Sequence, residues 1–401
     1  MTTIKLKFKH STNTVEKGTI YYSINHEGAN KYICSGYNIN DEEWNNLHSK
    51  ITIPNIITCR GVELSIIRDR IKFNIKRLKH ISRYLESKSK DYNLDDILKI
   101  FEFNYKGITL FDFLLDTAQK LKEMKKYRTS ETYVSLLNSF MSYRNGEDLL
   151  VANLDINIVE RYEAYLKQHN AALNTISFYM RTLRATYNRA VDIGIVSKNN
   201  LFKKVYTNIE KTPKRAIPIS CITKLKNLDL SHLPEIEFAR DVFLFSFYTR
   251  GMSFIDIAYL SKSNIRNGEI IYRRQKTGQR LNIKWEKCMS EIVKKHPNKN
   301  NDYLLPIILN SNLDSRKQYI DSLSKVNKNL KKVALLAGIS INITSYVARH
   351  SWASAAKFKR IPISVISEAM GHDNEVTTQI YLSSLDTDVI NKANKMIIKS
   401  L

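Results

Sequence analysis

MGHDNEVTTQIY at residues 370–381 and ARHSWAS at residues 348–354 are the two stretches that decide which fold this sequence predicts. Tyr381 follows His372 by nine residues, and Arg349 lies 23 residues before that histidine. A single tyrosine carries little information in a chain that contains 22 of them. A tyrosine in fixed register with an arginine and a histidine is more informative, because those two groups could hold a phosphodiester while the phenol oxygen attacks it.

A third stretch, RRQKTGQ at residues 273–279, adds a lysine to this set. It lies within residues 264–283, where alternating side chains and turn residues predict a β-hairpin. Tyr272, Arg274 and Lys276 are then expected on one face of the first strand, since strand side chains alternate. Lys276 is either a solvated residue near the hairpin tip or a catalytic group.

The predicted positions of the arginine and the histidine suit an anion. Arg349 lies on a predicted helix, and its planar guanidinium can bind two phosphate oxygens at once. His372 immediately precedes the helix that carries Tyr381, and a helix N-terminus presents backbone N–H groups that favour anions. A phenol has a pKa of about 10, so nearby cations must favour the phenolate. His350, beside Arg349, is expected to have a packing or capping role.

The composition indicates a polyanionic partner. The 401 residues include 63 Lys and Arg against 39 Asp and Glu, a formal net charge of +24. Such an excess is typical of nucleic-acid-binding proteins, although a merely basic soluble protein is the alternative. A hydrophobic content of 43% excludes global disorder, and the length predicts two or three domains.

The cysteines and the N-terminus favour a cytoplasmic location. Cys34, Cys59, Cys221 and Cys288 have neither metal-site nor disulfide-framework spacing, so reduced thiols are expected. The first residues lack the apolar core of a signal peptide. No stretch approaches the length of apolar sequence that a membrane helix needs, so no membrane association is expected.

Residues 1–95 are predicted to form a small α+β domain. In the first strand, apolar residues alternate with Lys5, Lys7 and Lys9. The elements predicted to follow are two strands and a long basic helix, at residues 19–24, 31–34 and about 62–85. The lysines could form a solvated face or could lie along the phosphates of DNA.

Residues 105–207 are predicted to be helical throughout, and the helix at 174–193 has the clearest pattern. Its apolar residues recur every three or four positions, at Ile176, Met180, Leu183, Tyr187 and Ala190. Arg181 and Arg184 fall on a different face, which is either a solvated surface or one that presents arginine to DNA. A flexible basic linker without hydrophobic periodicity is predicted next, with Lys211, Lys214 and Arg215.

Taken together, these motifs resemble the tyrosine recombinase, or phage-type integrase, family over most of residues 105–395. The resemblance implies a mainly α fold with small β-sheets. It implies an α+β arm-type DNA-binding domain at residues 1–95 and a helical, SAM-like core-binding domain at residues 105–207. It also implies a mixed, mostly α catalytic domain at residues 216–401 that ends in a tail helix.

The resemblance also implies roles for the motif residues. Tyr381 would attack the scissile phosphate and form a 3′-phosphotyrosyl link. Arg349 and His372 would stabilise the charge of the phosphate, and Lys276 would protonate the leaving 5′ oxygen. No metal or other cofactor is expected, because no clustered carboxylates suggest a two-metal nuclease.

Two positions depart from the family pattern. Ser253 stands where the family has its first arginine, so Arg274 or Arg250 would have to supply that cation, and the shared strand face with Lys276 favours Arg274. Tyr346 stands where the family has histidine or lysine, and tyrosine is a poor general base at neutral pH. This pair of changes resembles integrases of mobile elements from Bacteroidetes-type bacteria.

The partners implied are double-stranded DNA at core sites and at arm sites, bound by a homotetramer near the nucleoid, with accessory DNA-bending or excision proteins. The amphipathic tail after Tyr381, with Val389, Ile390, Ala393 and Ile397 on one side, would pack on its own domain or on a neighbouring protomer. Three alternatives to a mobile-element integrase remain: a DNA invertase for phase variation, a chromosome-dimer resolvase, and a DNA-binding remnant that no longer cleaves.

Overall fold

The computed structural model describes residues 2–10, 17–54, 58–88, 91–101, 107–210, 216–310, 312–372, 374–382 and 394–398, with the backbone alone at residues 380 and 381. The chain divides into two compact units, residues 1–211 and residues 212–401. The fold is mainly helical with small antiparallel sheets, as predicted. Among the described residues, no helix is both long and apolar enough to cross a lipid bilayer.

A three-stranded antiparallel sheet begins the first unit, in the order β1-β2-β3. Its strands are β1 (Thr3–His10), β2 (Lys17–His26) and β3 (Ala29–Asn40), and the last two are longer than predicted. Because strand side chains alternate, Ile4, Leu6 and Phe8 pack against the core while Lys5, Lys7 and Lys9 are exposed. A short ribbon of β4 (Trp44–Asn45) and β5 (Lys50–Ile51) follows.

Six α-helices are described in the first unit. They are α1 (Cys59–Lys88), α2 (Leu94–Phe101), α3 (Leu110–Glu123), α4 (Tyr127–Tyr143), α5 (Ile156–Gln168) and α6 (Leu173–Asp192). Side-chain caps begin two of them: Thr109 accepts a hydrogen bond from the backbone of α3, and Asp155 does the same for α5. The five predicted apolar positions of α6 are all buried, and Arg181 and Arg184 are exposed.

Helix α1 packs in two directions. Ile71 and Leu78 belong to the core beneath the sheet. On another face, the ring of Phe73 meets that of Phe111 on α3 edge to face, with centroids 6.1 Å apart. Arg77 Nε donates to the carbonyl of Gly146 after α4, at 2.8 Å. This packing is why the sheet and helices α3 to α6 lie in one compact unit.

The second unit contains eight α-helices and three short strands within the described residues. The helices are α7 (Ile219–Asn227), α8 (Pro234–Tyr248), α9 (Phe254–Ala258), α10 (Lys287–Lys295), α11 (Ser315–Leu336), α12 (Ser345–Phe358), α13 (Ile363–Met370) and α14 (Glu375–Leu382). Eight consecutive side chains of α8, at residues 239–246, are buried, and Phe243 and Phe245 are fully so. Helices α7, α10, α11 and α12 pack around it.

The strands of the second unit correct one prediction. β6 (Ile265–Arg266), β7 (Glu269–Arg273) and β8 (Arg280–Lys284) form an antiparallel sheet in that order, so the predicted hairpin has an additional strand. Strand β7 ends at Arg273, and Gly278 N donates to the Arg274 carbonyl at 2.8 Å, which closes a turn. Lys276 lies in this turn and not on the strand, so the prediction of a shared strand face for Lys276 is wrong.

Little of the C-terminal tail lies in the described part of the chain. Residues 394–398 are helical, and Ile397 is exposed. Val389, Ile390 and Ala393 lie outside the described residues. Whether the tail packs on its own domain or on another protomer therefore stays open.

Candidate active site

Arg349 is the least exposed arginine among the described residues of the second unit, with 3% of its surface exposed. Its Nη1 donates to the Gly251 carbonyl at 2.8 Å, and its Nη2 donates to the Met370 carbonyl at 2.7 Å. Gly251 has a φ of +75°, and a Cβ there would lie 2.7 Å from the Arg349 Cα, so a glycine is needed for this approach. The remaining donor, Nε of Arg349, is buried without a hydrogen-bond partner among the described residues.

Arg274 is a second buried cation beside the first. It follows β7, and its Nη1 donates to the carbonyl of Gly371, the left-handed residue that ends α13. Its Nε, like that of Arg349, is buried without a partner within the described part of the chain. Burial first, and then the charge of Arg274, lower the pKa of Arg349 to about 10. The two buried guanidinium groups donate to carbonyls, and the Asp256 carboxylate acts on Arg349, so two positive charges face one negative charge. An anion would stabilise the net positive charge that remains.

The imidazole of His372 lies in the same positive field. It is 9% exposed, and its Nδ1 is 2.7 Å from the hydroxyl of Thr378 on α14. Burial, followed by the charges of Arg349, Arg274 and Lys276, lowers the pKa of His372 to about 4. The imidazole is therefore neutral at pH 7 and can donate one hydrogen bond without adding charge.

The depressed pKa of His372 predicts a loss of stability on acidification. Its pKa falls from 6.5 to about 4 on folding, so between these values the unfolded chain binds the proton more tightly and the free energy of unfolding falls as the pH falls. We expect urea denaturation of the wild type to lose about 2 kcal/mol more between pH 7 and pH 5 than that of His372→Gln, which cannot titrate. Equal losses in the two proteins would show that His372 is not held neutral by folding.

Lys276 lies near the two arginines through the turn that carries it. The side chain is exposed, and its charge is one of the three that lower the pKa of His372. Gln275, the residue before Lys276, holds the turn in place, because its backbone N donates to Asp256 Oδ1 at 2.8 Å. Lys276 therefore sits at the solvent side of the buried cations, where it can reach a bound molecule.

The structure shows the surroundings of Ser253, the first departure from the family pattern, and of the two arginines that could replace its missing charge. The Ser253 hydroxyl donates to Asp256 Oδ2 at 2.6 Å, so this position carries no cation. Arg250 is half-buried with a φ of +58°, and its charge acts on the pKa of Tyr272, as do the charges of Arg349 and Arg274. Arg274 acts in addition on the pKa values of Arg349 and His372. Of the two candidates for the missing cation, Arg274 is thus the one beside the other site residues.

Tyr346 lies one helical turn before Arg349 on α12. Its ring meets that of His350 edge to face, with centroids 4.8 Å apart, which gives His350 the packing role expected of it. Partial burial raises the pKa of the Tyr346 phenol, and the charges of Arg349 and Arg274 oppose that rise. The raised pKa makes Tyr346 a hydrogen-bond donor at neutral pH and a poor base.

Helix α14 carries Tyr381 on its last turn, and its side chain lies outside what the structure describes. The helix is fastened at both ends. Asn374 Oδ1 accepts from the Thr377 backbone at 3.0 Å at its start, and Lys357 Nζ donates to the Leu382 carbonyl at 2.5 Å at its end. Asp373 lies outside the described residues. Helix α14, and with it the backbone of Tyr381, packs against α12 and α13.

A cluster of acidic groups elsewhere in the second unit is already neutralised. Glu237, Asp241 and His296 lie close enough to hold a metal ion. Their carboxylates, however, form ion pairs with Arg240 and Lys295, and His296 bonds to Asp241 at 2.8 Å. The cluster therefore joins α8 to α10 as an ion-pair network.

The predicted DNA-binding residues are distributed over the first unit. Lys5, Lys7 and Lys9 line the exposed face of the sheet, where Lys9 Nζ lies 4.3 Å from the ring centroid of Tyr32. Arg181 and Arg184 lie on the exposed face of α6. Lys211, Lys214 and Arg215 lie outside the described residues.

The sequence reasoning missed several residues that shape the site. Asp256 fastens the Lys276 turn, Gly251 and Gly371 supply carbonyls to the arginines, and Thr378 and Lys357 hold α14. Four of them act through contacts between segments distant in sequence, and Thr378 bonds to a residue only six positions earlier, across the start of α14, so no helix or strand period marks any of them. The one available signal was the position of each glycine beside a motif residue, where a left-handed or closely packed backbone is common.

Comparisons with known proteins agree with this arrangement. Family models match at residues 109–206 (phage integrase SAM-like domain) and 237–388 (phage integrase family). Tyrosine recombinase XerC of Rickettsia prowazekii is 22% identical over 288 residues, which is 67% of this chain and 91% of that protein. A lambda integrase tetramer bound to a Holliday junction matches with a TM-score of 0.52 at 15% identity, covering 93% of this chain and 94% of that one. The Tn1549 transposon integrase in complex with transposon right end DNA matches with a TM-score of 0.50 at 12% identity, covering 73% of this chain and 100% of that one.

Proposed function

The chain belongs to the phage integrase family of tyrosine recombinases, and on that basis we propose that it is a site-specific DNA recombinase that integrates and excises a mobile element. The observation that carries this proposal is the pair of buried arginines, Arg349 and Arg274, whose Nε groups have no partner among the described residues. They lie beside His372, at the start of the helix that carries Tyr381. Uncompensated buried cations next to a nucleophile-bearing helix suit a phosphodiester substrate.

The proposed cleavage step exchanges one phosphoester bond for another. The phenolate oxygen of Tyr381 bonds to the scissile phosphorus, and the bond from phosphorus to the 5′ oxygen breaks. Arg349, Arg274 and His372 donate hydrogen bonds to the phosphate oxygens as charge accumulates on them. Lys276 gives a proton to the leaving 5′ oxygen, which becomes a hydroxyl. A 5′-hydroxyl from a partner strand then attacks the phosphotyrosine, releasing the phenol and rejoining the DNA without ATP.

The same observation argues against a remnant that binds DNA without cleaving it. A remnant would have no reason to keep two cations at a buried site, because an uncompensated buried charge destabilises the folded state. The loss of the family's first arginine at Ser253 is compensated in this proposal by Arg274. Tyr346 would contribute a hydrogen bond to the phosphate.

The biological setting is proposed from the likeness to transposon and phage integrases. Double-stranded DNA is the proposed partner, and four copies of the chain would act together at a crossover, as lambda integrase does in its tetramer on a Holliday junction. Accessory DNA-bending or excision proteins would assist, in a bacterial cytoplasm. A DNA invertase would use the same chemistry, and an inverted-repeat promoter beside the gene, in place of element ends, would identify one.

The test of the proposed function is a covalent trapping assay. Full-length protein is incubated with a duplex carrying the joined element ends and a nick near the crossover, so that a short strand is lost after cleavage. We expect a protein–DNA complex that survives denaturant, is destroyed by protease, and forms equally well with EDTA. A complex that shifts in a native gel but is never covalent would overturn the cleavage reaction.

Each of the three proposed domains has a separate role in DNA binding or cleavage. Residues 1–95 would bind arm sites through the lysine face of the sheet, residues 105–207 would bind core sites through α6, and residues 216–401 would carry the chemistry. This division remains a proposal, supported for the second and third domains by the two family models.

Two sets of substitutions test this division, each serving as the control for the other. Arg181→Ala with Arg184→Ala is expected to weaken binding to a core-site duplex and to reduce the slope of log K against log salt by about two. Alanine at Lys5, Lys7 and Lys9 is expected to leave core-site binding unchanged and to weaken binding to a duplex from the flanking arm region. If both sets weakened both duplexes equally, these charges would not distinguish the two kinds of site.

A further inference from the structure

Thr378 makes an unusual hydrogen bond for a threonine inside a helix. Several other helical threonines of this chain donate to the carbonyl four residues earlier, as Thr182 does to Phe178 at 2.7 Å and Thr186 does to Thr182 at 2.9 Å. The hydroxyl of Thr378 instead lies 2.7 Å from Nδ1 of His372. Thr378 is 0% exposed, so water does not offer its hydroxyl another partner.

This contact decides which ring nitrogen of His372 carries the proton. The hydroxyl of Thr378 has one proton to donate, and within the described residues the acceptor in range is Nδ1 of His372. If Nδ1 carried the proton, it would donate to the Thr378 oxygen, and the buried hydroxyl proton would have no acceptor, which costs free energy. The favoured arrangement therefore has Thr378 donating to Nδ1, and the proton of the neutral ring on Nε2.

We propose that Thr378 is a positioning residue: it fixes His372 in the tautomer with the proton on Nε2, and it does so only when helix α14 is seated. The dependence of the tautomer on α14 follows from the position of Thr378 in the chain. Thr378 and Tyr381 are three residues apart on α14, so they lie on neighbouring turns of one rigid segment. A displacement of α14 that withdraws the nucleophile also withdraws the group that sets the tautomer of His372.

The consequence for catalysis rests on the function proposed above. With the proton on Nε2, His372 donates to a phosphate oxygen and does not act as a general base toward it. Burial of the ring, together with the charges of the arginines and Lys276, makes this possible, because it keeps the ring neutral and so leaves it with a single proton to place. The same seating of α14 therefore places the nucleophile Tyr381 and puts on Nε2 of His372 the proton that is donated to the phosphate.

The tautomer can be measured directly, without DNA. Nitrogen NMR of full-length protein labelled with 15N-histidine separates protonated from unprotonated ring nitrogens, and comparison with His372→Gln assigns the signals of this residue among the nine histidines. We expect a protonated Nε2 and an unprotonated Nδ1 in the wild type and in Thr378→Ser, which keeps the hydroxyl. Thr378→Val has nearly the same shape without the hydroxyl, and we expect it to show a mixture of tautomers. A wild-type His372 with its proton on Nδ1 would overturn the proposal.

Cleavage rates give the second readout. In single-turnover trapping, Thr378→Val is expected to slow cleavage by roughly 10- to 100-fold at unchanged DNA affinity, the range typical for partners that orient a functional histidine. Thr378→Ser should recover most of the rate, and Thr223→Val, the same change at an exposed threonine of α7 that donates to the Ile219 carbonyl, should leave it near that of the wild type. A Thr378→Val protein that kept both the tautomer and the rate would also overturn the proposal. If the wild type itself failed to cleave, the recombinase function would be rejected while the NMR result would still decide the tautomer.

Discussion

Replacing Tyr381 with phenylalanine is expected to abolish covalent DNA complexes, reducing their rate of formation by at least about 10³-fold. The substitution removes one oxygen, and that oxygen is the atom that would bond to phosphorus. The substitution leaves every other proposed contact with DNA unchanged, so the affinity for the element-end duplex in a native gel should stay within about twofold of the wild type. Trapping on the nicked duplex, measured beside native-gel binding, separates the two effects.

The controls for this experiment come from the other tyrosines of the second unit. Tyr303→Phe removes a hydroxyl from a tyrosine packed against the core away from the arginines, and it should trap DNA at the wild-type rate. Tyr346→Phe removes a phenol one helical turn before Arg349 and should slow trapping without abolishing it. Trapping that survived in Tyr381→Phe but disappeared in Tyr346→Phe would move the nucleophile to α12.

Replacing Arg274 with alanine is expected to reduce cleavage by about 10²- to 10³-fold, the loss typical when one donor to a developing oxyanion is removed. Arg250→Ala should change the rate only severalfold. The reason for the ranking is burial and charge. Arg274 is buried, donates to the carbonyl of Gly371 next to His372, and acts on the pKa of Arg349 and of His372. Arg250 is half-buried, and its charge acts on Tyr272, which Arg274 also affects. Single-turnover trapping rates at saturating protein provide the measurement.

Two further variants sharpen this comparison. Arg273→Ala removes the neighbouring arginine of the same turn, whose exposed guanidinium bonds to the Gly278 carbonyl at 3.2 Å, and it should leave the rate nearly unchanged. Arg274→Lys keeps the charge but loses the planar fork, and it should recover only part of the activity. If Arg250→Ala proved more damaging than Arg274→Ala, the assignment of Arg274 as the replacement for the missing arginine would be wrong.

A reciprocal substitution tests whether Arg274 replaces the arginine that the family has at the position of Ser253. Ser253→Arg restores the family's arginine next to Asp256, which can pair with it. In the Arg274→Ala background this change should recover part of the lost cleavage. In the wild-type background it should add little, because the phosphate oxygens already have their donors.

Local patterns predicted most elements of the first unit. Alternation in β1 correctly placed Lys5, Lys7 and Lys9 on the exposed face, and the spacing of apolar residues in α6 correctly gave its buried stripe. These predictions worked because burial of a strand or helix face follows directly from periods of two and 3.6 residues. The packing of α1 against α3 could not be predicted in this way, because a helix that buries two faces has no single stripe.

The turn after β7 shows where local reasoning failed. Alternating residues predicted a strand through Lys276, but β7 ends at Arg273. The backbone there bonds across the turn and to Asp256, a residue 19 positions earlier than its partner Gln275. A strand boundary set by such a contact leaves no mark in the strand's own sequence.

What the sequence determined by itself was the family: residue types at fixed spacings around Arg349, His372 and Tyr381, in a strongly basic chain, indicated a tyrosine recombinase. The same residues predict phosphodiester attack by a tyrosine. What only the tertiary structure decided was how those residues are held. It set Arg274 beside Arg349, fastened the two guanidiniums to the carbonyls of Gly251, Met370 and Gly371, and joined His372 to Thr378. Spacing along a chain reports which groups are present. The burial and hydrogen bonding that tune their charges and protons arise only when the elements that carry these groups pack against one another.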